Sequence, residues 1–160
     1  MIKLVYTIFL SLLIALFVGF GIDTFYPGPE SPQYPLELDQ PKEGCELTIE
    51  QQTIQAEFNQ AQEKFMAESK IYNRDVSIIA LIASIIILVV SLTFLSKIKM
   101  IADGILLGGV FTTAYGIIRG VMSGSSYFRF LIITVGLIIA FVLGYIKFIR
   151  PRKEKDLQQN

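Results

Sequence analysis

Histidine and tryptophan are absent from this chain, and cysteine occurs once, as Cys45. Without an imidazole there is no Ser-His triad, no haem held by histidine and no His-ligated zinc. A lone thiol forms neither a CxxC redox pair nor an internal disulfide. An excess of charge of either sign is missing too: 14 basic and 14 acidic residues cancel, so nothing in the overall balance suggests nucleic acid as a partner. Helix breakers are unevenly spread, since five of the six prolines fall between residues 27 and 41. No pair of acids and no activated nucleophile falls within an apolar run, which argues against an enzyme. No cofactor and no metal are expected.

What the chain has in quantity is apolar length. It is 52% hydrophobic over 160 residues, with a mean hydropathy of +0.55, above the usual share for a globular protein. Four runs, at about 4–22, 76–95, 101–122 and 128–149, approach or reach the roughly 20 residues that carry a helix across hydrocarbon. The expectation is one all-α integral membrane domain of four transmembrane helices. The short connections SKIKM and SGSS make the second, third and fourth spans antiparallel neighbours in a bundle. The first run competes with a signal peptide cleaved near Gly19-Phe20-Gly21. Its 19 apolar residues exceed the roughly 7 to 15 of a cleaved signal, so a retained helix is expected.

Residues 23–75 are polar and divide in two. The first part, 23–44, carries Pro27, Pro29, Pro32, Pro35 and Pro41 with Phe25, Tyr26 and Tyr34 between them, which forbids a helix and predicts an extended, aromatic-anchored segment. From Thr48 to Asp75 glycine and proline vanish. Ile54, Phe58, Ala61, Phe65 and Tyr72 there make a narrow apolar seam at spacings of three and four, as in a short coiled coil. No breaker separates this stretch from the second span, so one helix of about 48 residues and about 70 Å is expected, roughly 40 Å of it outside the hydrocarbon. A line of large apolar groups in water implies a cover. The candidates are the proline-rich segment, a second copy or another protein, and the heptad spacing favours a helix. Ile54, Phe58, Phe65 and Tyr72 are therefore the expected partner interface.

Small residues recur every fourth position in three spans: Gly104, Gly108, Thr112, Gly116 and Gly120 in the third, Gly136, Ala140 and Gly144 in the fourth, and Ser11, Ala15 and Gly19 in the first. In water each such glycine would cost a helix about 1 kcal/mol relative to alanine. In lipid the backbone must stay helical, and a stripe without side chains admits a neighbouring helix closely. These residues are expected to form helix-packing faces within the bundle or a homo-oligomer. The serines of the second span, Ser84 among them, are expected to bond carbonyls of their own helix or to hold a neighbour.

Charge placement sets an orientation. Lys3, Lys97, Lys99, Lys147, Arg150, Arg152, Lys153 and Lys155 share one side, whereas 23–75 holds four basic residues against eleven acids. By the positive-inside rule both termini are cytoplasmic, in a plasma or bacterial inner membrane. The basic tail 150–160 should attract anionic lipid headgroups. Asp103, beside the lysine turn, is expected to cap the third helix. Arg119 and Arg129 flank SGSS within reach of headgroups or of loop acids.

The string Gly108-Gly109-Val110-Phe111-Thr112-Thr113 resembles the third-helix signature of small dimeric fluoride channels, over six residues. The second span lacks the asparagine of that family, and the exported stretch has no counterpart there. The layout of a large first outer loop and a small second one is similar to claudins in topology alone, since Cys45 is unpaired and tryptophan is missing. Two functions follow as expectations. The first is a non-enzymatic membrane scaffold or complex subunit. The alternative is a small oligomeric channel or transporter, with Thr112, Thr113, Tyr115, Ser84 and Asp103 along a polar path.

Overall fold

The computed structural model describes residues 2–36, 49–94 and 99–149. Residues 37–44 of the proline-rich segment, Cys45, Thr48, most of the SKIKM turn and the tail 150–160 lie outside the described residues. The four helices are α1 (Ile2–Phe25), α2 (Ile49–Phe94), α3 (Lys99–Met122) and α4 (Ser126–Gly144), and a π-helical turn, Tyr145–Ile149, follows α4. Each of the four helices is long and apolar enough to cross a membrane, and no strand occurs among the described residues. Apart from the extended stretch after α1 the described residues are almost wholly helical, and the four helices are consistent with a multi-pass membrane protein.

Helix ends follow local chemistry. α1 runs through Asp23 to Phe25 rather than stopping at Ile22; Tyr26 N–H still donates to the Ile22 carbonyl at 2.8 Å, and Pro27 then blocks another turn. α2 is unbroken over 46 residues, about 69 Å at 1.5 Å per residue. The connection to α4 turns on Gly124, whose φ of +83° suits glycine. Ser125 then caps α4, its hydroxyl accepting from Phe128 N–H.

α3 is the centre of the packing, against both α1 and α2, with α4 touching mainly α3. Contacts between α2 and α3 descend one helix as they ascend the other. Ser91 Oγ donates to the Ala102 carbonyl at 2.7 Å, Leu88 faces Gly109, Leu81 faces Gly116, and Ser77 faces Gly120. Ser77 Oγ also donates to the Gly116 carbonyl at 2.6 Å. The α2 face presented here alternates small and branched residues, and Ser77, Ala80, Leu81, Ser84, Leu88 and Ser91 are all buried.

The glycine stripe of α3 serves two neighbours. A step of four residues overshoots a helical turn by about 40°, so from Gly104 to Gly120 the stripe turns by about 160°. A β-carbon on Gly104 would meet Leu10 of α1 and one on Gly108 would meet Ile14, whereas one on Gly116 would meet Ala80 and Leu81 of α2. At Gly120 it would meet both Ser77 and Ile132 of α4. Gly136 is likewise filled by Ile117. The other stripes are only partly used: Ser11 is fully buried, but a β-carbon at Gly19 or Gly144 meets nothing within 4 Å, and Ala140 is exposed.

Candidate functional site

At the end of α3 the described residues gather a polar and aromatic cluster. Arg119 Nε donates to the Tyr115 hydroxyl at 3.1 Å, one turn back, and Arg119 Nη1 donates to Asn73 Oδ1 of α2 at 2.9 Å. Asn73, itself buried, donates in turn to the Ser69 carbonyl. The guanidinium carbon lies 5.6 Å from the Tyr72 ring centre and 5.5 Å from that of Tyr115, within cation–π range of both. Tyr26 stacks on Tyr72 at 5.5 Å and 14°. Arg119 is thus held by a neutral amide, a phenol and two rings. Among the described residues neither Arg119 nor Arg129 pairs with a loop acid; Arg129 Nε donates to the Val121 carbonyl at 2.8 Å, and the loop acids at 37, 39, 43 and 46 lie outside the described residues.

Tyr26 links this cluster to the chain that leaves α1. Its hydroxyl donates to Asp75 Oδ2 at 3.1 Å, and this bond to a carboxylate raises the phenol's pKa above its usual value. Removing the proton would turn the bond into a repulsion, so the contact is present below the ordinary tyrosine range and is lost as pH rises through the raised value. Asp75 also pairs with Arg74 at 3.0 Å.

From Tyr26 the chain forms an extended strap along the polar half of α2. Tyr34 meets Phe58 edge to face at 5.4 Å. The lengths match: eight residues of polyproline helix cover about 25 Å, and the fourteen α-helical residues from Phe58 to Tyr72 about 21 Å. Pro29, Pro32 and Pro35 are half-buried while the strap residues between them are exposed, the three-residue period of a polyproline helix lying on one ridge. The extended segment, not a helix, is what lies on the seam at Phe58 and Tyr72. Ile54, Phe58, Phe65 and Tyr72 are all half-buried.

Beside Arg119, α1 and α3 enclose a groove of about 400 Å³. Leu12, Leu16 and Phe20 line it together with the small residues Ala15 and Gly19, and Asp23, Tyr115 and Arg119 border its end. A second groove of about 570 Å³ between the same helices is bordered by Lys3, Thr7 and Asp103. Asp103 does not cap α3. The helix begins at Lys99, which leaves Asp103 past the free amides of the first turn, and its carboxylate accepts from Nζ of Lys147, in the π-helical turn after α4.

The hydroxyls expected along a polar path are spent locally. Thr112 and Thr113 hydroxyls each donate to their own helix, at the Gly108 and Gly109 carbonyls, both at 2.9 Å. Ser84 donates to the Leu81 carbonyl at 2.8 Å, and Tyr115 belongs to the Arg119 cluster. No family model, curated protein or solved structure matches this chain. The six-residue likeness to fluoride channels and the claudin-like layout gain no support from those comparisons.

Proposed function

We propose that this chain is a non-enzymatic scaffold or complex subunit of a plasma or bacterial inner membrane. In this reading its successive helices run antiparallel, both termini are cytoplasmic, and the polar half of α2 stands on the outer side with its strap. Further copies of the chain or another membrane protein are its partners, and the basic tail rests on anionic headgroups. The observation that carries the proposal is how buried polar groups are used. Ser77 and Ser91 bridge α2 to α3, and Thr112, Thr113 and Ser84 bond carbonyls of their own helices. A pore needs a continuous row of such groups facing water; here they serve packing. What extends beyond the packed spans is a continuous helical arm: α2 reaches about 36 Å past Asn73, where α3 ends against it.

Orientation is tested by labelling. With Cys45→Ser as background, Gln60→Cys is expected to react with a membrane-impermeant thiol reagent in intact cells and Lys155→Cys is not. Reaction at 155 alone would reverse the orientation. The arm is tested by Phe65→Ser, which leaves the strap's anchors at Phe58 and Tyr72 in place. Insertion depends on apolar length and is expected to survive, while association is lost; a particle of parental mass carrying the same co-purifying proteins would remove the arm from the proposal.

A further inference from the structure

The groove between α1 and α3 ends in two opposite charges that no ion pair joins. Among the described residues the ion pairs are Lys64 with Glu68, Arg74 with Asp75, and Lys147 with Asp103. Asp23 and Arg119 belong to none of them, yet both border the same groove. A guanidinium carries five N–H donors, and Arg119 uses one on Tyr115 and one on Asn73. About three remain, in a plane already fixed by those bonds and by two rings, which is the preorganised fork that suits a phosphate.

Beyond the charges the groove is apolar and kept open. A β-carbon at Gly104, Gly108, Gly109, Gly116, Gly120 or Gly136 would press on a side chain, but at Gly19 it would meet nothing within 4 Å. Packing within the chain therefore does not require glycine at 19, and a side chain there would fill the groove. From Leu12 to Phe20 the groove follows α1 for about 12 Å, most of the roughly 15 Å depth of one leaflet's hydrocarbon. Its volume of about 400 Å³ falls in the range of ordinary ligand sites.

We propose that this groove binds one zwitterionic phospholipid, with the phosphate on Arg119, the headgroup ammonium toward Asp23 and an acyl chain along Leu12, Leu16 and Gly19. Charge complementarity selects this occupant. A fatty acid or a phosphatidylglycerol would answer Arg119 and leave Asp23 without a cation, whereas a phosphate with an ammonium beside it answers both residues. A free phosphate would leave the apolar part of the groove unused.

The test uses the full chain purified in mild detergent, with native mass spectrometry and thermal unfolding as readouts. Dioleoyl phosphatidylethanolamine is expected to bind one per chain and to raise the unfolding temperature more than dioleoyl phosphatidylglycerol. Dioleoylglycerol and inorganic phosphate are expected to do neither. Arg119→Gln should weaken phosphatidylethanolamine binding about tenfold or more, as for loss of a charged hydrogen bond. Gly19→Leu, at a position with room for the side chain, should weaken it similarly, and Asp23→Asn should abolish the preference over phosphatidylglycerol. The proposal is overturned by an equal effect of dioleoylglycerol, by a response to phosphate alone, by parental binding in Gly19→Leu, or by a preference that survives Asp23→Asn. A Gly19→Leu variant whose particle mass falls while its lipid response persists would make a second copy the occupant, and the proposal would fail.

Discussion

Leucine at Gly109 or Gly120 is expected to unfold the bundle or to lower its unfolding temperature in detergent sharply, while leucine at Gly21 or Gly144 leaves it at the parental value. A β-carbon on Gly109 alone would stand 2.6 Å from Leu88 Cδ2 and 2.8 Å from Leu88 Cγ, and Leu88 is buried in the α2–α3 seam. At Gly120 the β-carbon would lie 2.7 Å from Ser77 Oγ and 3.0 Å from two carbons of Ile132, so three helices would have to part. Overpacking of this kind costs about 1–3 kcal/mol for added methylenes, and leucine adds four heavy atoms. Ser77 would also lose its bond to the Gly116 carbonyl, adding about 0.6 kcal/mol by the average for such interhelical bonds. Gly21 and Gly144 have nothing within 4 Å. Gly104→Ala should be mild, because its closest approach, 2.8 Å, is to the flexible tip of Leu10. If Gly109→Leu melts with the parent, the close α2–α3 approach is wrong.

The apolar helices and the glycine stripe of α3 were legible from one sequence because membrane insertion is a matter of apolar length, and because glycine at regular spacing has little other use in lipid. Partners were less legible. The every-fourth rule marks Gly104 to Gly120 as one stripe, but the drift of about 40° per step hands its start to α1 and its end to α2. Gly109, which lies off that register, has one of the two closest approaches, 2.6 Å from a β-carbon to Leu88 Cδ2. The seam on the polar half of α2 was visible, and at Phe58 and Tyr72 its cover is the proline-rich segment, one of the three candidates, rather than the favoured helix. Heptad spacing suggested a helix, while the signal for a strap lay in Pro29, Pro32 and Pro35, whose three-residue period matches a polyproline ridge. The Asp103–Lys147 pair joins residues 44 apart in sequence, and no local pattern foretells it. Charge placement offers Arg119 headgroups or loop acids, whereas among the described residues its partners are a neutral amide, a phenol and two rings.

Tyr72→Ala is expected to release the strap and loosen the end of the bundle together. Tyr72 is where the two meet: Tyr26 stacks on it, Gly28 approaches it so closely that a β-carbon there would lie 3.1 Å from Tyr72 Cε1, and Arg119 rests 5.6 Å from its centre. Truncating a buried aromatic costs about 3–5 kcal/mol; Tyr72 is half-buried, so about 2 kcal/mol is expected. Brief proteolysis of the purified protein with a glutamate-specific protease should then cut the strap between Glu30 and Ser31 several times faster than in the parent. Phe58→Ala frees the far anchor alone, so cleavage should rise while the unfolding temperature moves less. Combining Tyr72→Ala with Tyr26→Ala should give less than the sum of the two, by the roughly 0.5–1.5 kcal/mol of an aromatic pair. Tyr127→Ala is the control, since Tyr127 is 92% exposed and its loss should change neither readout. Parental cleavage in Tyr72→Ala, or strict additivity with Tyr26→Ala, would mean that the strap is anchored elsewhere and that Arg119 does not depend on it.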